Sequence, residues 1–104
     1  MKLPFKFTFK GKKIIVKEYT VCNTLFSRAR GLMFRSKNYN RALLFPFDQV
    51  GKYEIHSFFC NKFIAVWLAK GKIIDIQLVE PYQISVTGKG KFDELLEIPQ
   101  VSDE

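Results

Sequence analysis

Phe5-Lys6-Phe7-Thr8-Phe9-Lys10-Gly11-Lys12-Lys13-Ile14-Ile15-Val16 decides the architecture of this chain. Three phenylalanines alternate with polar residues at a period of two, which puts the aromatic rings on one face of a strand and the polar groups in water. Gly11, between lysines, breaks the alternation, and the β-branched and aromatic run Ile14 to Tyr19 resumes it, so the two halves read as a β-hairpin with a short loop. Pro4 suits a strand start, where its missing N–H costs no ladder bond.

The rest of the chain carries the same signal. Ala42 to Phe47 reads as a short buried strand stopping at Pro46, and Asp48 to Lys52 as a turn through Gly51. Ile55 to Phe59, Ile64 to Ala69 and Ile73 to Glu80 are strand-like, the last two joined by the turn Lys70-Gly71-Lys72. In the third of these runs Ile74, Ile76 and Leu78 share a face. Phe92 to Ile98 fits a strand or a short helix equally well by periodicity. One helix is expected near Thr24 to Gly31: Asn23 or Thr24 can cap it, Leu25, Ala29 and Leu32 form an apolar stripe, and Gly31 ends it. The expectation is a mainly β (α+β) fold, a small antiparallel, barrel-like or strongly twisted β-sheet domain with one short helix.

With 104 residues the chain suits one hydrophobic core, so a single domain over residues 1–104 is expected, with an ordered core over about residues 3–99 and a frayed tail at 100–104. The charge is lopsided. Residues 1 to 41 hold eleven Lys or Arg against Glu18 alone, whereas residues 42 to 104 hold six against nine acids, so +10 faces −3. Such a basic half attracts polyanions through its long-range field, and an anionic macromolecule, nucleic acid or acidic protein, is the partner class it suggests. No apolar run reaches the length of a membrane span, and the alternating start lacks the continuous apolar stretch of a signal peptide. A cytoplasmic location is therefore expected, with Cys22 and Cys60 as thiols.

Three further motifs, Arg30-Gly31-Leu32-Met33-Phe34-Arg35, Arg41-Ala42-Leu43-Leu44-Phe45-Pro46-Phe47 and Ile55-His56-Ser57-Phe58-Phe59, follow one another in an order and spacing that resembles the domain of unknown function 192 family of small single-domain proteins. Pro81-Tyr82 and Leu96-Glu97-Ile98-Pro99 are similar to that family's Pro-aromatic step and its closing Leu-Glu-Leu-Pro. The resemblance covers about residues 14 to 99 and implies a small, mainly antiparallel β domain without an established activity. Where the family block continues with Met, Phe, Pro and Asp, this chain has Cys60, Lys62, Phe63 and Ala65, so the family's carboxylate is absent at position 65.

The residues offer no catalytic constellation. His56 is the sole histidine, and a zinc site needs three or four suitably spaced ligands, so neither a metal nor a cofactor is expected. Cys60 lies about 13 Å from His56 along an extended strand at ~3.3 Å per residue, too far for a direct thiol–imidazole hydrogen bond. Arg28, Arg30, Arg35 and Arg41 are the candidate anion ligands, because guanidinium forks bind phosphate or carboxylate bidentately. The bland alternatives are a solvated helix face, or an Arg buried against Asp48 or Glu54. Trp67 could stack a base, although aromatics in strands usually belong to the core. Two functional readings follow: a non-catalytic binding or accessory module with a basic N-terminal face, or a small-ligand protein or enzyme with a pocket near Arg30, Arg35, His56 and Trp67.

Overall fold

The structure, a computed structural model, describes residues 3–22, 41–51, 62–80 and 86–99, with the backbone alone for 48–50. Strand β1 (Phe5–Phe9) pairs antiparallel with β2 (Lys12–Val16), Phe7 opposite Ile14 and Phe5 opposite Val16. Lys10 and Gly11 form the two-residue loop at φ +51° and +79°. Both residues being left-handed is the geometry whose twist matches flanking antiparallel strands. As the alternation requires, Phe5, Phe7 and Phe9 are half-buried while Lys6 and Thr8 are exposed.

The remaining strands are β3 (Tyr19–Val21), β4 (Ala42–Gly51), β5 (Phe63–Ala69), β6 (Lys72–Val79) and β7 (Phe92–Pro99). They form one five-stranded sheet in the order β3-β4-β7-β5-β6. β5 is buried on both faces from Phe63 to Leu68, which explains its unbroken apolar sequence. Its hairpin to β6 turns at Lys70 and Gly71, again both left-handed at φ +51° and +82°. Asp93 Oδ1 accepts from the Lys70 N–H at 3.2 Å and ties this turn to β7.

The two sheet faces hold separate apolar clusters. One contains Leu43, Phe45, Phe63, Ala65, Trp67 and Leu95, with Cys22, Val86 and Phe92. The other contains Ala42, Leu44, Ile64, Val66, Leu68 and Leu96, and the hairpin lies over it with Phe5, Phe7, Phe9, Ile14 and Val16. Each buried aliphatic or aromatic side chain contributes roughly 1.5–3 kcal/mol, so the hairpin is held by its inner face.

Several expectations need correcting. The described strands do not close into a barrel: the hairpin packs through side chains on a sheet face, leaving β3 and β6 as edges of the larger sheet. The sheet is not wholly antiparallel, because Tyr19, Thr20 and Val21 of β3 run parallel to Ala42, Leu43 and Leu44 of β4. The long segment between Val21 and Ala42 provides the crossover that a parallel pair demands. β4 does not stop at Pro46 but continues to Gly51, and the expected turn over 48–51 is strand. Proline removes one ladder donor without ending an extended backbone, and the ladder shows a register irregularity between Pro46 and Gly51. Residues 92–98 are strand. The expected helix near Thr24 to Gly31 and the strand over Ile55 to Phe59 lie outside the described residues.

Candidate functional site

Two regions carry chemistry. The first is the hairpin and the link that follows it. Lys6, Lys10, Lys12, Lys13 and Lys17 are all exposed, and no acid lies between residues 5 and 17. Lys6 stands opposite Ile15 and Thr8 opposite Lys13, so on the outer face no lysine confronts another across the ladder. Ile15, 48% exposed, lies between them. Lys10 bends away, its ammonium 5.5 Å from the centroid of the Phe9 ring.

Where β2 gives way to β3, Arg41 Nη1 donates to Glu18 Oε1 at 2.6 Å, and Arg41 Nε donates to Thr20 Oγ1. This is the one ion pair among the described residues. Its side chains are 46% and 70% exposed, so it adds at most about 1 kcal/mol to stability. Glu18, the sole acid of the basic half, is thereby engaged by Arg41, and the hairpin lysines have no acidic partner among the described residues. An open groove of about 440 Å³ lies here, lined by Ile15, Val16, Lys17, Glu18, Arg41, Ala42 and Ile98.

The second region is the sheet face turned away from the hairpin. Glu97 of β7 stands opposite Leu43 on one side and Ala65 on the other, and Ala65 in turn faces Gln77. Glu97 is only 7% exposed, and burial pushes its carboxyl up to about 8. One ladder position along, Trp67 faces Leu95 and Asp75. Trp67 is fully buried, and its Nε1 has no hydrogen-bond partner among the described residues. Phe92 meets the indole edge-on, with centroids 6.4 Å apart. Gln77 is better served: its amide nitrogen donates to Asp75 Oδ2 at 2.8 Å and to the Thr87 carbonyl at 3.0 Å. This face thus presents a neutral acid and an indole N–H without a partner among the described residues, on adjacent strands and as diagonal neighbours within roughly 7–8 Å. Ala65 lies directly across from Glu97.

Of the candidates read from sequence, Arg41 is at the groove and Trp67 is in the core; Arg28, Arg30, Arg35 and His56 lie outside the described residues. The groove and the Trp67 face do not meet, since the sheet separates them. Glu97 was missed by motif reading. The available signal was an acid inside the apolar run Leu95-Leu96-Glu97-Ile98, in phase with Leu95. No cluster of three or more metal-ligating side chains occurs among the described residues, and none of their helices is long and apolar enough to cross a membrane.

These features define a small β domain of two stacked sheets with a basic hairpin and a buried acid. The chain belongs to the domain of unknown function 192 family, described as an uncharacterised ACR, whose model matches residues 6–102. No curated protein matches the sequence. Among solved structures, the fold is similar to a protein from Sinorhizobium meliloti 1021 described as a candidate transcription regulator: 17% identity, TM-score 0.72, covering 90% of this chain and 76% of that one. It is also similar to a protein of unknown function from Novosphingobium aromaticivorans DSM 12444, at 15% identity and TM-score 0.71, covering 90% and 70%. At these identities the likeness is one of fold.

Proposed function

We propose that the protein is a non-catalytic binding module whose basic hairpin engages an extended anionic macromolecule. The observation that carries this reading is the hairpin itself. Its aromatic side is used up in packing on the sheet, while its lysines face water with the nearest acid in sequence, Glu18, held by Arg41. Such a face neutralises a polyanion's charges without reading sequence, because it has no set of side chains arranged to contact base edges. Arg28, Arg30 and Arg35 add charge to the same half of the chain. Because the S. meliloti neighbour is described as a candidate transcription regulator, nucleic acid is the polyanion to try first.

Retention on heparin and binding to a single-stranded RNA, measured against salt, test it. Replacing Lys6 and Lys13 by Gln should lower the slope of log K against log salt by roughly 1.4, at about 0.7 per lysine lost for a single strand. Salt-insensitive binding, or a slope unchanged in the double variant, rejects the reading.

The second reading, a small-ligand or enzymatic pocket near Arg30, Arg35, His56 and Trp67, draws its support from the unpaired Trp67 Nε1 beside buried Glu97. Since Trp67 is the only tryptophan, its fluorescence reports on that face alone. A metabolite screen that alters this emission, abolished by Glu97→Gln, would bring the second reading ahead of the first.

A further inference from the structure

The groove beside the Arg41–Glu18 pair has a composition that hairpin binding of a polyanion does not use. Its floor is apolar: Val16, Ala42 and Ile98 come from β2, β4 and β7 and belong to one hydrophobic cluster. Ala42 and Ile98 sit one ladder step beyond the Leu43–Glu97 pair, which places them side by side on the sheet. The rim is polar, made of Lys17, Glu18 and Arg41. Arg41 spends Nη1 on Glu18 and Nε on Thr20, and no hydrogen bond from its Nη2 occurs among the described residues. Lys17 makes no ion pair there. With Glu18 already compensated, the rim keeps one net positive charge and unused cationic donors above an apolar floor.

We propose that this groove binds a small amphipathic anion, its carboxylate or phosphate-monoester head between Lys17 and Arg41 and its short aliphatic part along Ile15 and Ile98. A volume of about 440 Å³ suits a metabolite-sized ligand. A charged head gains charge-assisted hydrogen bonds from Lys17 and the open edge of Arg41, while an alkyl tail covers the exposed Ile15 and half-buried Ile98 above the buried Val16 and Ala42. Neither half alone uses the site, so a simple anion and a neutral alkane derivative should both bind poorly. The head-group contacts Lys17 and Arg41 are distinct from Lys6 and Lys13 of the hairpin's outer face, so the two sites are separable by mutation.

Hexanoate, hexyl phosphate, hexanol and acetate are titrated into the full chain while the Ala42 and Ile98 methyl resonances are followed. Saturable shifts are expected with hexanoate or hexyl phosphate, and the tighter of the two identifies the headgroup. Hexanol and acetate should bind at least about tenfold more weakly, the loss of one charge-assisted contact or of the apolar cover. Lys17→Met and Arg41→Met, which keep the aliphatic stems, should each weaken the preferred probe about tenfold. If Arg41→Met melts without cooperativity, Lys17→Met carries the comparison. The proposal fails if neither acid gives a saturable shift, if hexanol or acetate binds as tightly as the acids, or if the methionine variants bind normally. RNA binding lost in the Lys6/Lys13 variant with hexanoate binding intact leaves the groove standing, and the converse leaves only the hairpin.

Discussion

Gly88 lies flat against Trp67: a Cβ at position 88 would come within 2.7 Å of the indole Cγ and 2.8 Å of Cδ1 and Cδ2. The ring has no room to retreat, because it is fully buried with Phe92 against it. Gly88→Ala should therefore destabilise the domain by about 1–3 kcal/mol, as forced overpacking does. In a Trp67→Leu background the same change should cost less than about 0.5 kcal/mol, a difference that urea melts of the four proteins resolve. Equal costs in both backgrounds would mean that the contact is not responsible.

The buried Glu97 makes stability depend on pH. Its carboxyl titrates near 8 when folded and near its ordinary 4.5 when unfolded. Between those values the folded chain holds a proton that the unfolded chain releases, so stability is highest below 4.5 and falls as pH rises toward 8. At pH 7 the penalty is about 3 kcal/mol. Glu97→Gln keeps the shape and removes the titration. Its melting temperature should exceed that of the parent at pH 7 to 8, and the gap should narrow toward pH 4.5. Identical pH slopes for the two proteins would exclude Glu97 as the cause.

Both tight turns put a lysine in the left-handed region immediately before a glycine, Lys10-Gly11 and Lys70-Gly71. Asparagine accepts that conformation more readily than lysine, and Asn-Gly is the preferred pair for such hairpins. Lys10→Asn should raise stability by a few tenths of a kcal/mol or more, whereas Gly71→Ala should lower it by about 1 kcal/mol. Thermal melts check both signs.

Cys22 is a buried reduced thiol whose backbone N–H donates to the Leu44 carbonyl at 2.8 Å. It should react slowly with a thiol reagent in the native protein. After denaturation without reductant, titration should count two thiols, Cys22 and Cys60. A count of zero from the monomer would instead indicate a bridge between them.

Local periodicity made most of the strands legible: alternation at Phe5, Phe7 and Phe9 and the apolar run ending at Ala69 both mark the elements that formed. What it could not reach was pairing at a distance. Nothing near Tyr19 announces a parallel partner at Ala42, and nothing near Arg41 announces Glu18 as its partner, because that pairing depends on β3 lying beside β4. Trp67 illustrates the ambiguity of an aromatic in a strand, which has the same sequence signature in a core as on a binding platform; its complete burial identifies the core. Glu97 was visible as a letter in a motif but not as a buried acid, since burial of one residue depends on what its neighbouring strands carry, here Leu43 and Ala65.

β7 is the last strand among the described residues, yet it sits between β4 and β5 and joins them. During vectorial synthesis the hairpin can form early, but β4 and β5 have no common neighbour until residues 92–99 have left the ribosome. Until then the apolar edges of both strands are open to any other extended chain, as unpaired ladder groups are. A chain whose synthesis stalls before residue 92 would therefore expose both strands for chaperones to shield, and the five-stranded sheet assembles only once residues 92–99 are free to pair.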